Sequence, residues 1–420
     1  MIKKIIKSLK LNNEVSDYKI VEDTTVSNQA FFVLGKLETR RISSTTECAV
    51  TVYHRENNLI GSSTFTISHN LSTKELNDKI NETLYSAKLA LNKDFNLVEG
   101  FKKKTIKDKP FADDFDTMIN KINGFFEGAK ETNVKFNAVE IFYNEKTIHV
   151  VNSRNVNLSS TVYSLDIEYI PSYDGEKDKV ELYNYKTYVT LDYDLIKSEI
   201  ENSVKDVKAR YNARKVENIG KIDCILKDKD AEQFFGNIIY DFGYQQVFGG
   251  GTKEKIGDNL QTEKAKTKLN IKLSPSSKAK AFDKDGLILK PVDIVKDGVL
   301  LNYYGDNVYG QYLGVTPVGE PDELNVKKGS KSIESLTNSK RYLEIITLSG
   351  IQIDVRNDYI GGEIRLGILH DKDVTTPVSG ISFSGSFKDA VNTFTSSKET
   401  VKIKGYSGPK YVKIKNLSVL

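Results

Sequence analysis

The sequence is poor in the residues that most often announce a chemistry. It has two cysteines, Cys48 and Cys224, and four histidines, His54, His69, His149 and His370, each standing alone. Two distant cysteines exclude a disulfide scaffold and read as buried free thiols of a reducing cytoplasm. Single histidines lack the spacing of a metal site, and no Ser–His or Cys–His pairing is visible. No apolar run approaches the ~18 residues of a membrane-spanning helix. An excess of one charge is also missing. The 61 Lys and Arg against 57 Asp and Glu leave a net charge of +4, which is no footprint for nucleic acid. The run Lys102–Lys104 reads as a solvated face. The opening MIKKIIKSLKLNN has its apolar residues interrupted by lysine. An amphipathic helix carrying Ile2, Ile5, Ile6 and Leu9 is therefore expected there, rather than a secretory signal. The expectation is a cytoplasmic protein with neither a membrane nor a nucleic acid as partner.

What is present is a long run of alternating pattern. At 420 residues and 39% apolar content, two domains are the prior. Period-two segments predict strands at Tyr18–Val21, Ala30–Leu37, Thr39–Ser43, Thr46–Arg55 and Leu59–Ile67, with Glu56-Asn57-Asn58 as a hairpin turn. Ser72 and Glu75 form a capping box before a helix whose apolar face is Leu76, Ile80, Leu84, Ala87 and Leu91. Asn92–Pro110 reads as a polar connector, and Asp113–Glu127 as a second helix. Strands follow at Asn137–Tyr143, Thr147–Asn152, Asn157–Ile170 and Val180–Leu191. A long helix from Asp194 to Ala213, carrying Leu195, Ile200, Val204, Val207 and Tyr211, would be an arm between domains. After it come a strand at Ile222–Leu226 and a helix over Asp228–Phe248 ended by Gly249-Gly250-Gly251. Those glycines follow a helix and lack the spacing of a phosphate loop. The expected fold class is α+β: an N-terminal α+β domain, residues 1–216, with an antiparallel sheet and long helices, then a β-rich domain with a few helices, residues 217–420.

The densest run of structural instructions is Ala281–Gly314. Phe282 leads into a turn of Asp283, Lys284, Asp285 and Gly286, and Val292–Val295 begins a strand. Asp297-Gly298 is a two-residue hairpin signal, and Val299, Leu300, Leu301 and Tyr303 return as its partner. Gly305-Asp306-Asn307 makes a second turn. Further on, Ser332–Leu336 reads as a short helix and Tyr342–Leu348 as a strand.

The series Phe282-Asp283-Lys284-Asp285-Gly286, Asp297-Gly298-Val299-Leu300 and the aromatic-rich Tyr304–Gly314 resembles the TldD/PmbA (TldD/TldE) metalloprotease family. So do Pro321, Asn325 and Gly329, the hairpin around Gly361-Gly362-Glu363-Ile364-Arg365, the turn at Ser384-Gly385-Ser386-Phe387, and a closing strand Gly408–Val419. Val151–Asn155 resembles a turn of the family, with Asn155 where glycine is common.

In proteolytic members a helix carries H-E-x-x-x-H, whose histidines bind zinc and whose Glu serves as base. The corresponding helix here has Glu232, Asn237 and Asp241 but no histidine, and the family's further ligand, a Cys near the C-terminus, is absent from Lys398–Leu420. The resemblance is thus closest to the TldE/PmbA-type subunit that lacks the zinc motif. It implies a non-catalytic subunit of a zinc metalloprotease that degrades or matures peptides. Such a chain would dimerise with a TldD-like subunit or with itself, and extended or unfolded peptides would lie in a cleft inside the dimer. No catalytic residue, metal ligand or cofactor is expected in this chain; zinc would sit in the partner. Structural or cleft-lining roles are expected for Phe282, Asp283, Asp285, Gly286, Asp297, Gly298, Asn325, Gly361, Gly362 and Gly385. Family members have also carried the name of DNA gyrase modulators. A homo-oligomeric peptide-binding scaffold without a protease partner is the alternative, and a metal-free hydrolase a third.

Overall fold

The computed structural model describes residues 1–68, 70–100, 104–176, 178–217 and 219–420. His69, Lys102 and Lys103, singled out above, lie outside the described residues. The fold is mixed α+β. A nine-stranded sheet with helices occupies the N-terminal half, and sheets of seven and six strands occupy the rest.

The first sheet is built from β1 (Asp17–Val33), β2 (Lys36–Glu56), β3 (Leu59–Ile67), β4 (Leu91–Lys93), β5 (Lys104–Lys107), β6 (Val134–Asn152), β7 (Asn157–Asp174), β8 (Lys179–Glu181) and β9 (Asn184–Tyr188). Its order is β4-β3-β2-β1-β6-β7-β5, with β8 and β9 also on β7. Several expected boundaries move. The polar stretch Glu22–Gln29, expected to break a strand, runs through the middle of β1, because β2 and β6 pair with it on both sides. The turn in Ala30–Leu37 falls at Leu34-Gly35, both at positive φ. Asn144–Lys146 is likewise spanned by β6. Val180–Leu191 splits into β8 and β9, and the connector Asn92–Pro110 contributes β4 and the parallel strand β5. Asn57 and Asn58 turn at φ 51° and 61°, and Asn155 at 67°, the left-handed geometry asparagine tolerates best after glycine.

One face of this sheet is covered by helices α1 (Ile2–Leu11), α2 (Thr73–Leu89), α3 (Phe115–Gly128) and α4 (Tyr193–Asn212). Ile5 and Leu9 of α1 and Leu76, Ile80 and Leu84 of α2 bury against Ile20, Cys48, Val50 and Val52. Helices α3 and α4 bury Met118, Ile122, Phe126, Ile196, Ile200, Val204 and Val207 against Phe32, Ile141, Leu165 and Ile167. Leu195, expected on that face, is exposed, and Ile196 takes its place. The Ser72 capping box is complete. Both cysteines are free and buried; burial pushes the Cys48 thiol up to about 12, so it is inert rather than reactive. No helix among the described residues is long and apolar enough to cross a membrane.

In the second half the expected helix Asp228–Phe248 is two: α5 (Lys229–Tyr240) and α6 (Tyr244–Phe248), broken at Gly243. Helix α5 sits between the two C-terminal sheets. Its Ala231, Phe234, Phe235, Ile238 and Ile239 share one core with residues of both, among them Leu343, Ile345, Leu324 and Tyr406. Phe234 and Phe235 meet Phe394 edge-on at 6.0 and 5.5 Å. The closing segment is also two strands: Tyr406–Pro409 belongs to the six-stranded sheet and Tyr411–Val419 to the seven-stranded one.

Gly61 of β3 marks a close approach. A methyl group there would lie 1.8 Å from the carbonyl oxygen of Ala87, at the end of α2. Gly61→Ala is expected to cost about 1–3 kcal/mol of stability, seen as a lowered thermal midpoint. An unchanged midpoint would show that α2 does not seat on β3 in this way.

Candidate functional site

The Phe282–Gly286 turn is shaped by one carboxylate. Asp283 Oδ1 accepts from the backbone N–H groups of Asp285 at 2.9 Å and Leu287 at 3.0 Å, the side-chain-to-backbone pattern by which aspartate builds turns. Gly286 takes φ +90°, and a Cβ there would come within 2.7 Å of Val156. The turn is pressed onto the face of the first sheet opposite α1–α4. Phe282 buries among Val150, Val156 and Leu158, with Val21, Val98 and Ile148 alongside. Beside it Lys19 Nζ of β1 meets Asp285 Oδ1 at 2.5 Å, both side chains about one-fifth exposed.

This junction concentrates negative charge. Burial first, then Asp285 and Glu320, push Asp283 up to about 7, against its two backbone donors. Burial likewise raises Asp306 and Glu320, with Asp285 adding to both. Burial works against the Lys19 ammonium, yet Asp285, Tyr53 and Asp283 outweigh it and its pKa is raised. Two cations oppose these rises, Lys19 at Asp306 and Lys284 at Glu320. The rest of the Ala281–Gly314 stretch completes the docking. Asp306, expected in a closing turn, instead caps helix α7 (Asn307–Tyr312) through the Tyr309 N–H. From α7, Asn307 and Gln311 both donate to the Asn96 carbonyl at 2.8 Å, and Tyr312 donates to that of Lys93 at 2.6 Å. Phe95 and Leu97 bury against Val308 and Tyr312.

Next to the turn a cavity of about 510 Å³ opens on the same sheet face. Its walls are Val21, Asp23 and Thr25 of β1, Thr45, Thr46, Glu47 and Ala49 of β2, Ser68, Lys146 of β6, and Lys284 of the turn. Lys146 pairs with Asp23 at 2.8 Å. A second cavity, about 330 Å³, lies against the end of α5 and is lined by Asn237, Tyr240, Asp241 and Ile353–Arg356.

The residues around α5 do not fit a zinc ion. Asn237 spends its amide on the Gln233 carbonyl, at 2.7 Å. Glu232 points toward Gly405 and Tyr406, while Asp241 lies at the far end of the helix beside Arg356. Among the described residues no group of three or more His, Cys, Asp or Glu could hold a metal ion. The described histidines are engaged elsewhere: His149 with Asn157 Oδ1 at 2.9 Å, His54 with the Glu14 carbonyl, and His370 stacked on Tyr342 at 4.2 Å.

The ten motif residues fall in separate places. Phe282, Asp283, Asp285 and Gly286 form the junction just described. Asp297 and Gly298 make the expected hairpin, at φ 50° and 85°, and the Asp297 N–H donates to Asn270. Its partner strand is shorter than expected, Val299–Leu300. Asn325 lies within the strand Glu323–Val326, where its amide donates to Ser274 Oγ at 2.8 Å. Gly361 and Gly362 lie inside the strand Tyr359–Asp371 rather than in its turn, and pair with Ser384 and Phe383. A Cβ at Gly362 would meet the Phe383 ring at 2.9 Å, and one at Gly385 would meet Leu417 at 2.6 Å. Sequence reasoning missed Lys19, Glu320 and the Asn96 contacts. The spacing of 266 residues between Lys19 and Asp285 leaves no local signal for that pair.

Residues 219–420 match the family profile described as the PmbA/TldA metallopeptidase C-terminal domain, so this part of the chain is a domain of the PmbA/TldD metallopeptidase type. The chain resembles TldE. It superposes on TldE from Thermococcus kodakarensis with TM-score 0.78 at 14% identity, covering 100% of this chain and 99% of that one. A candidate modulator of a DNA gyrase from Thermotoga maritima gives 0.77 at 14% identity, with 100% of each chain covered. A candidate modulator of DNA gyrase from Bacteroides thetaiotaomicron gives 0.77 at 16%, covering 100% and 98%. At such identities the likeness is one of fold. No curated protein sequence matches the chain.

Asp283 yields a pH test of the junction. Its folded pKa lies above its ordinary value, so the folded chain binds the extra proton. Stability from this group is greatest in acid and falls as pH rises from about 4 to about 7. Asp283→Asn keeps an oxygen to accept the two backbone donors but does not titrate. It is expected to be more stable than the parent by about 1 kcal/mol or more at pH 8, with the gain fading toward pH 4. Denaturant melts at both pH values check this, and a gain independent of pH would contradict it.

Proposed function

We propose that this chain is the non-catalytic, TldE-like subunit of a TldD/TldE-type zinc metalloprotease, a cytoplasmic assembly that degrades or matures peptides. The observation that carries this reading is helix α5. In a chain with the TldE fold, the helix that corresponds to the zinc helix offers a packed apolar face and no donor set. The TldD-like partner would bring zinc and the catalytic base. This chain would bring shape, with residues 1–216 and 217–420 as its two domains, the Phe282–Gly286 turn fixing one on the other, and an extended peptide lying in a cleft between the subunits. Such peptides are read through their backbones, which sheet edges recognise without regard to sequence.

The test is reconstitution. This chain mixed with a TldD-like chain carrying H-E-x-x-x-H is expected to cleave an unfolded peptide, with the activity lost on chelation and absent from this chain alone. Cleavage by this chain alone would overturn the reading. A chain that forms only homo-oligomers and leaves the partner's activity unchanged would favour the peptide-binding scaffold instead.

A further inference from the structure

Strand β2 is much longer than the strand that covers its outer edge: 21 residues against nine. Of β2, β3 covers only Cys48–Glu56. Residues 36–47 therefore pair with β1 on one side and, among the described residues, with nothing on the other. The phase of the free edge follows from the ladder. Glu56 and Leu59 close the two-residue turn as a hydrogen-bonded pair, and antiparallel pairing then alternates. From Arg40 to Glu56, on the near side of the register shift at Glu38, every even-numbered residue of β2 thus turns its N–H and C=O away from β1. Arg40, Ile42, Ser44 and Thr46 present these groups outward, and none has a backbone partner among the described residues.

Natural edges this long are usually blunted by proline, by a bulge or by a charge lying across them. Here the bulge lies at one end of the free stretch, at Glu38 opposite Phe31/Phe32, and Arg40–Thr46 runs on from it with no proline. The two arginines lie back on the sheet faces. Arg40 reaches Asp116 on α3 at 2.5 Å, and Arg41 bonds Gln29 and covers the Phe31 ring at 4.7 Å. Next to them Ile42 is 74% exposed.

The two ends of the edge differ in charge and shape. Where β3 stops, the 510 Å³ cavity opens, with Glu47 and Asp23 in its wall. Asp23 is paired with Lys146, whereas Glu47 has no ionic partner among the described residues. At the other end stand Lys36, Arg40 and Arg41 against the single Glu38. A strand continuing the direction of β3 runs antiparallel to β2. It would set its amino terminus beside Glu47 and its carboxylate toward the basic end.

We propose that the Arg40–Thr46 edge binds an extended peptide of about seven residues, roughly 23 Å long, by strand addition antiparallel to β2, with a free amino terminus in the cavity beside Glu47. A second copy of this chain fits the edge less well. Its own hairpin tip, Leu34-Gly35, would close over the cavity and bury Lys146, Lys284, Asp23 and Glu47, whereas a free peptide end leaves them hydrated. The site belongs to this chain alone, so it stands or falls independently of the subunit role.

The test uses the full chain and a Thr/Val-alternating heptapeptide with a free amino terminus and carboxylate, dye-labelled on a lysine side chain at its last residue. Fluorescence anisotropy is expected to show saturable binding. Ile42→Pro removes one outward N–H and leaves the β1 ladder intact, and it is expected to weaken binding about tenfold or more with little change in thermal midpoint. Acetylating the peptide amine is expected to weaken binding as well. Should the proline variant not fold, hydrogen exchange on the parent chain decides. Protection gained at Arg40, Ile42, Ser44 and Thr46, with Arg41 and Ser43 already protected, upholds the site. No saturable binding, binding indifferent to Ile42→Pro in a folded variant, or exchange protection elsewhere overturns it. So does a sedimentation result in which the edge forms a homodimer that excludes the peptide.

Discussion

The seating of one turn against one sheet face sets how the halves of this molecule meet. Phe282 enters the first sheet as an apolar plug, and Lys19 closes on Asp285 beside it. An ion pair this sheltered holds by geometry more than by net energy, because each ion has been taken largely out of water. Its value lies in register. A Cβ at Gly286 would strike Val156, and one at Gly319 would strike Leu289 and approach Asp283, so the turn has one way to sit. Beside it α7 docks on the loop of Asn96, and Lys284 of the turn walls the cavity.

Helix α5 is placed by apolar packing rather than by polar contacts. The aromatic pair Phe234 and Phe235 fills the space between two sheets, and nothing in that packing calls for histidine. On its half-buried outer side stand an amide bonded to its own helix and a carboxylate beside Arg356. The helix therefore retains its place in the architecture while its outer face offers only a modest cleft with Tyr240 and Asp241.

Much of the fold was legible where the instruction was local. The Ser72 capping box, the Asn57-Asn58 and Asp297-Gly298 hairpins, the Asp283–Gly286 turn and the short helix capped by Ser332 each need only neighbouring residues. What was not legible came from pairing at a distance. β1 and β6 pass through polar middles that alone would break a strand, and they hold because each has a partner on both sides. The break of α5 from α6 depends on the Tyr244 N–H donating to the Tyr304 carbonyl and on the Tyr244 ring lying against Gly305 and Gly310, contacts sixty residues on. The candidate site was half legible. The turn residues were identified, but Lys19 and the bare edge of β2 depend on where other strands stop, which no local pattern records.

The most direct measurement is zinc per chain on the purified protein alone, by elemental analysis after dialysis against a weak chelator. The account predicts a value near zero, because no donor set meets around α5. A value near one per chain would mean that ligands converge in a way the present arrangement does not provide, and would contradict the proposal that this chain is a subunit without metal chemistry.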